Sequence, residues 1–232
     1  MIYKKIVSGR FIARPNRFIA QVEVAGKCET VHVKNTGRCK ELLLPGVEVF
    51  LEKSDDPERK TLYDLVAVKK PRPGKEPLLI NMDSQIPNHA ALEWLPESGL
   101  FSPQAKFKRE VVFGKSRFDI FAEDFDRKVF IEVKGVTLEK DNIAMFPDAP
   151  TERGVKHVKE LIECIKEGFE AYILFVVQMK DVHTFKPHDA MHREFGDALR
   201  QAAACGVKVL AMDCLVTPTS IKIDQPIKIS LQ

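Results

Sequence analysis

Apolar and polar positions alternate in short runs along the first third of the chain, and the rhythm turns helical later. Phe18, Ala20, Val22 and Val24 form one alternating set, and Val31 and Val33 alternate with His32 and Lys34. Residues 47–51 and 62–68 read as further strands of the same kind. About five short strands in some 80 residues, with one less regular segment over 38–44, predict a small barrel, and an OB-like barrel is the favoured version. Pro71-Arg72-Pro73-Gly74 and Pro77 then punctuate a loop, a short apolar strand follows over 78–80, and Pro87 comes next. The break in character therefore divides the chain into residues 1–82 and residues 83–232.

Downstream, strands alternate with helices. Residues 88–95 read as a short helix, and 107–113, 117–123 and 128–134 as three strands. The spacing predicts a helix over 151–168, with an apolar stripe of Val155, Val158, Ile162 and Ile165 closed by Gly168. Residues 172–177 form a fully apolar strand of the type found in mixed or parallel sheets. A second helix over 189–205 stops at Gly206, and 207–211 return as a strand. The order αβββαβαβ predicts an α/β domain behind the barrel.

Composition excludes several classes. Of the 232 residues, 44% are hydrophobic and 30% charged, which is ordinary globular usage and rules out a disordered, collagen-like or coiled-coil chain. The longest apolar run, 171–177, falls far short of the roughly 20 residues of a membrane span. No apolar stretch follows the charges of Met1-Ile2-Tyr3-Lys4-Lys5, so no signal peptide is expected and the predicted setting is the cytoplasm. Cys28, Cys39, Cys164, Cys205 and Cys214 lack any CxxC spacing, which predicts reduced, mostly buried thiols. Charge is uneven: residues 1–82 hold 16 Lys+Arg against 10 Asp+Glu, and the remainder 20 against 23. A basic first part suits a polyanion, and an acidic second part suits cations.

The most informative stretch is 116–135. If residues 117–123 and 128–134 form a hairpin about Asp124-Phe125-Asp126-Arg127, one face pairs Phe118 with Val133, Ile120 with Ile131 and Ala122 with Val129. The other pairs Glu123 with Lys128, Phe121 with Phe130, Asp119 with Glu132 and Arg117 with Lys134. A slip of one residue would destroy this sorting. The register sets two carboxylates side by side, where like charges repel. A divalent cation between Asp119 and Glu132 removes the conflict, and hard oxygen ligands suit magnesium or manganese. Lys134, two residues from Glu132 on the same face, is placed to orient or deprotonate an attacking water or to neutralise a phosphate. The bland alternative is a solvated face whose charges keep the hairpin soluble.

Arg153, His157 and Glu160 share a helix face, which is either an ordinary charged solvent face or one where Arg153 and His157 contact a phosphate beside the metal, with Lys156 at the edge. Glu110 is a candidate third carboxylate and equally a plain strand-edge charge. Lys34, Asn35, Arg38 and Lys40 cluster after a strand, and Arg14 and Arg17 flank a turn. Such groups suit salt-sensitive phosphate contacts of little sequence preference, although Asn35-Thr36-Gly37 also serves as plain turn chemistry. His188 and His192 lack a third ligand and are expected to be surface histidines. Gly114-Lys115-Ser116 imitates the end of a phosphate-binding loop, but Arg109 stands where glycine is needed and a strand follows.

Asp119, twelve residues, then Glu132-Val133-Lys134 resembles the PD-(D/E)xK nuclease signature, with Phe118 in place of the proline. Pro147-Asp148 matches literally but lies after the Glu-x-Lys. A closer resemblance runs through Asn35-Thr36-Gly37-Arg38, Ser116-Arg117-Phe118-Asp119, Glu132-Val133-Lys134-Gly135-Val136-Thr137-Leu138, and the segment from Phe146-Pro147-Asp148 through Arg153-Gly154 to Lys156-His157. These segments are similar to the sugar fermentation stimulation protein (SfsA) family. The resemblance implies an N-terminal OB-like domain, a PD-(D/E)xK nuclease-like C-terminal domain and DNA binding. The expected function is a DNA-binding protein with a metal-dependent nuclease site, linked to sugar metabolism. The rival is a non-catalytic DNA-binding regulator that retains the nuclease fold.

Overall fold

The computed structural model describes residues 1–35 and 37–232; Thr36, in the turn named above, lies outside the described residues. Six strands come first: β1 (Ile6–Ala13), β2 (Ile19–Val24), β3 (Lys27–Val33), β4 (Glu48–Lys53), β5 (Tyr63–Arg72) and β6 (Lys75–Asn81). They pair in the order β3-β2-β1-β4-β5-β6, and a parallel β3–β5 contact closes the first five into a barrel. The predicted OB-like barrel is therefore present. Its first strand escaped the pattern because only Phe11 of β1 is buried, so no alternation marks it. Phe18, read as the start of an inward set, is 58% exposed, whereas Ala20 and Val22 are fully buried.

The closure carries a buried charge. His32 faces Asp64 across β3–β5, and Asp64 accepts hydrogen bonds from His32 and Arg59 and pairs with Lys34 at 3.1 Å. Burial alone would raise the Asp64 carboxyl, but these partners outweigh it and hold the group down at about 2. A depressed carboxyl stabilises the fold above its ordinary range and loses that contribution as pH falls through the folded value. Asp64→Asn should therefore cost on the order of 2 kcal/mol at pH 7. The difference in melting temperature from wild type should shrink between about pH 4 and pH 2. A pH-independent difference would remove the ion-pair explanation.

After the barrel come α1 (Ile86–Trp94) and a 3-10 turn (Leu95–Glu97), then β7 (Lys106–Phe113), β8 (Ser116–Asp124), β9 (Arg127–Val136), β10 (Leu138–Lys140) and β11 (Ile143–Phe146). The chain continues as α2 (Glu152–Lys166), β12 (Glu170–Val177), β13 (Thr184–Pro187), α3 (Asp189–Ala204), β14 (Lys208–Thr217), β15 (Ser220–Pro226) and β16 (Lys228–Ile229). The main sheet runs β15-β14-β12-β9-β8-β7, with β12 parallel to both β9 and β14. The predicted αβββαβαβ order is its skeleton. A small sheet, β10-β11-β13-β16, is additional; its strands have two to four residues, too few for periodicity to show. Among the described residues, no helix is long and apolar enough to cross a membrane.

One core holds the barrel interior and continues through Val136, Ala144, Phe175 and Phe185 to α2 and α3. The other packs α1 against Ile120, Ile131, Val133 and Leu174, and includes Tyr3, Phe50 and Val66 of the N-terminal part. Polar ties join the two halves as well. Gln178 donates to Asn81 Oδ1 at 2.9 Å and the Asp83 carbonyl at 3.1 Å. Lys70 pairs with Glu139, and Arg72 with Asp181 at 3.0 Å. The barrel is thus fixed against the sheet rather than tethered to it.

Candidate functional site

The β8–β9 ladder runs from Asp124↔Arg127 to Ile120↔Ile131 in the register the sequence predicts. Beyond that point the strands part. Asp119 is not laddered to Glu132; its Oδ2 accepts the Val133 amide at 2.9 Å, and its Oδ1 accepts Asn88 Nδ2 of α1 at 2.8 Å. On the other side of β8, Glu110 adopts a left-handed φ of 55°, and the β7–β8 partners pass from Arg109↔Ile120 to Val111↔Phe118 without it. The alternation of β8 breaks here. Phe118 does not join Ile120 and Val133; it lies in the layer of Phe121 and Phe130, with its ring centroid 5.5 Å from Phe130 and 6.1 Å from His157. Arg117 does not face Lys134 either, but pairs with Glu110 at 3.5 Å. Glu110 is thereby turned outward to solvent and adds no third carboxylate to Asp119 and Glu132.

Glu132 is 2% exposed and points toward α2. Its Oε1 receives both Lys134 Nζ and His157 Nδ1, whereas Oε2 is buried with no partner among the described residues. Burial would raise the Glu132 carboxyl, but the His157 hydrogen bond and the Lys134 ammonium outweigh it and the net direction is down. Asp119 moves the other way: burial and the Glu132 charge raise it, and the Val133 amide and Lys134 only partly compensate. The pair therefore carries one well-compensated carboxylate and one that is only partly compensated. A hard divalent cation fits this donor set through the free Glu132 oxygen and the Asp119 carboxylate.

His157 was expected to contact a phosphate. It is 5% exposed, and its ring holds Glu132 instead. Arg153 Nε donates to His157 Nε2 at 3.4 Å, which leaves the ring proton on Nδ1, where it is donated to Glu132. α2 is pinned for this task by Thr151, whose hydroxyl caps the Gly154 amide at 3.1 Å. Gly135 follows Lys134 because a side chain there would lie 2.6 Å from Gln178 Oε1 and 2.7 Å from Pro87. Asn88 orients Asp119, and a helical asparagine carries no spacing signal that would mark it in the sequence.

The barrel residues divide in two. Arg17, Arg38 and Lys40 line a groove of about 260 Å³ with Arg14. Arg14 is the organiser of this loop, because its guanidinium donates to the carbonyls of Arg17, Asn35, Gly37 and Arg38. Lys34 and Asn35 serve the fold instead. Lys34 pairs with Asp64 and with Asp83 at 3.6 Å, and Asn35 bridges the Met82 carbonyl and the Gly37 amide. Gly37 lines both this groove and a polar cavity of about 150 Å³ bounded by Gly135, Val136 and Asp148, so the basic groove opens beside the end of β9.

His188 and His192 are half-buried rather than on the surface. Glu152, His192 and Glu194 gather as three possible ligands. The Thr151 amide donates to His192 Nδ1 at 3.3 Å, however, which leaves the proton on Nε2 and directs it to Glu152. A ring so arranged offers no lone pair to an ion there.

Known proteins match the whole chain. The family model described as the SfsA N-terminal OB domain matches residues 12–77, and the one described as the sugar fermentation stimulation protein RE domain matches 85–220. A sugar fermentation stimulation protein homolog from Desulfitobacterium hafniense (strain Y51) is 56% identical over 222 residues, covering 96% of this chain and 95% of its own. One from Ruminiclostridium cellulolyticum is 54% identical over 231 residues and covers both chains fully. The solved structure of Pyrococcus furiosus SfsA in complex with Ca2+ superposes with a TM-score of 0.85 at 28% identity, covering 99% of this chain and 98% of that one. With both halves matched and relatives this similar along their full length, the chain belongs to the sugar fermentation stimulation protein family.

Proposed function

We propose that the protein binds DNA along the basic groove of the barrel and hydrolyses phosphodiesters at Asp119, Glu132 and Lys134 with magnesium or manganese. The observation that carries this reading is Glu132 Oε2, a buried carboxylate oxygen with no partner among the described residues, beside a second carboxylate whose charge is under-compensated. The Pyrococcus furiosus relative was solved with Ca2+, a cation of the same hard class. A divalent ion held by the two carboxylates would polarise the scissile phosphate and acidify bound water. Asn88 and the Val133 amide fix the Asp119 oxygens, and His157 fixes Glu132. Lys134 sets an ammonium beside Glu132, where it would serve the attacking water or a phosphate oxygen. The five free thiols fit a reducing cytoplasmic setting, and the family name alone suggests a link to sugar metabolism.

The test is a cleavage assay on single-stranded, duplex and branched DNA with magnesium or manganese. Metal-dependent products are expected. Their absence with both metals, alongside retained DNA binding, selects the regulator reading.

The barrel groove has its own expected result. Affinity for DNA should fall steeply with salt and depend little on sequence. Arg38→Ala and Arg17→Ala should each reduce the slope of log K against log salt by about one unit. Lys34→Ala should leave the slope unchanged and lower stability instead, because its charge is committed to Asp64 and Asp83. Salt-independent affinity would reject the groove.

A further inference from the structure

His157 separates the carboxylate site from a second groove of about 520 Å³, built by the β7–β8 turn and the start of α2. Lys115, Arg117, Arg153 and Lys156 line it, with Glu152 as the one carboxylate. Glu152 is 80% exposed and reaches toward His192 at 3.3 Å, so it neutralises little of this charge. Arg117 is shared with Glu110 at 3.5 Å, and Lys156 with Glu160 at 3.7 Å. Among the described residues, no carboxylate pairs with Lys115 or Arg153.

Ser116 is the second, independent observation. It lines the groove and is 5% exposed, and its Oγ has no hydrogen-bond partner among the described residues. A buried hydroxyl left unpaired bears the full cost of its desolvation. Such a group is retained at little cost only where something else accepts its proton. The first turns of α2 add their positive end to the same spot. A hydroxyl donor, a guanidinium and an ammonium around a helix start form a receptor for a tetrahedral oxyanion.

We infer that this groove is a phosphate subsite, with Ser116 Oγ, Arg153 and Lys115 as its donors. It holds a nucleic-acid phosphate other than the one at Asp119 and Glu132. Ser116 lies three residues before Asp119 on β8, about 10 Å along the strand, within reach of a few nucleotides of one substrate strand. The naming of nucleic acid rests on the proposed function; the affinity for phosphate does not. The phosphate belongs either to a strand end or to the continuous backbone, and the chemistry of the grip is the same.

Inorganic phosphate titrated into the full chain without added metal, at low ionic strength, should shift the amide resonances of residues 115–117 and 153–157 saturably. Arg153→Gln should weaken this binding at least tenfold, and Ser116→Ala three- to tenfold, with melting temperatures close to wild type. Shifts no larger than those from equal chloride, or an Arg153→Gln variant that binds phosphate like wild type, would overturn the subsite. Short oligonucleotides with and without a terminal phosphate then distinguish the source. A wild-type preference for the phosphorylated form that Arg153→Gln abolishes assigns a strand end. Equal affinities that fall together in the variant assign the backbone, and affinities untouched by the variant reject any role in nucleic-acid binding. Because the phosphate titration requires neither metal nor cleavage, its failure and the failure of the nuclease reading are separate results.

Discussion

Asp119→Asn should raise the melting temperature of the metal-free protein and remove most of its stabilisation by manganese. The substitution keeps the shape of the group. An asparagine oxygen can still accept the Val133 amide, and Asn88 can turn its own amide to meet the new NH2. What disappears is a half-buried negative charge that Glu132 repels and whose carboxyl burial has already raised. Removing an under-compensated charge from such a place is neutral or stabilising, here on the order of 1 kcal/mol. Metal linkage works in the opposite direction. Manganese at a hundred times its dissociation constant stabilises a single-site protein by about 2.7 kcal/mol. A variant binding about a hundredfold more weakly would gain well under 1 kcal/mol at that concentration. Thermal melts with and without manganese read both effects, and DNA cleavage should be lost in parallel. An equal manganese shift in wild type and variant would exclude Asp119 as a ligand.

The register of the β8–β9 hairpin was legible because alternation with period two sorts the side chains onto two faces, and only one pairing sorts all of them. That logic holds from Asp124 to Ile120 and fails at Asp119, where the strand forks. A pattern-based register assumes an unbroken ladder. The left-handed Glu110 and the side-chain acceptor at Asp119 break it, and no residue type in 107–113 announces this. The proximity of the two carboxylates therefore follows from the pattern for a reason only partly right: the Glu132 charge reaches Asp119, but the two do not face each other across the ladder. His157 was placed on the correct helix face but given the wrong partner, since helical spacing fixes direction and not distance. Lys34 shows the same limit in the barrel. A lysine in a basic cluster looks available, and only the closure of β3 on β5 brings the buried Asp64 beside it. Gly114-Lys115-Ser116 is no phosphate-binding loop, since it turns from β7 directly into β8. The Lys115-Ser116 pair nevertheless meets the start of α2 through the fold, a meeting that no local motif encodes.

Lys134→Met should reduce metal-dependent cleavage by at least 10²–10³-fold, the loss seen when one preorganised donor to a developing oxyanion is removed. Divalent binding should persist, because an ammonium is not a cation ligand and both carboxylates remain. The melting shift caused by manganese therefore stays near the wild-type value, which separates Lys134 from Asp119. Stability should fall, however. The partner of Lys134 is the buried Glu132 and not Arg117, so its removal leaves that carboxylate with His157 alone. The loss should be about 1–3 kcal/mol at neutral pH. Without Lys134, the Glu132 carboxyl loses one of the two groups that hold it below its usual range. Because a depressed carboxyl stabilises above its titration range and loses that contribution on acidification, the stability gap between variant and wild type should narrow as pH falls below about 4. Affinity for DNA should change little, since Arg17, Arg38 and Lys40 line a separate groove. If cleavage persists unchanged in the variant, the activity arises elsewhere, in a contaminant or another site. If wild type cuts nothing with either metal while Lys134→Met still alters DNA affinity, Lys134 is a phosphate contact in a DNA-binding protein that has kept the nuclease fold without the reaction.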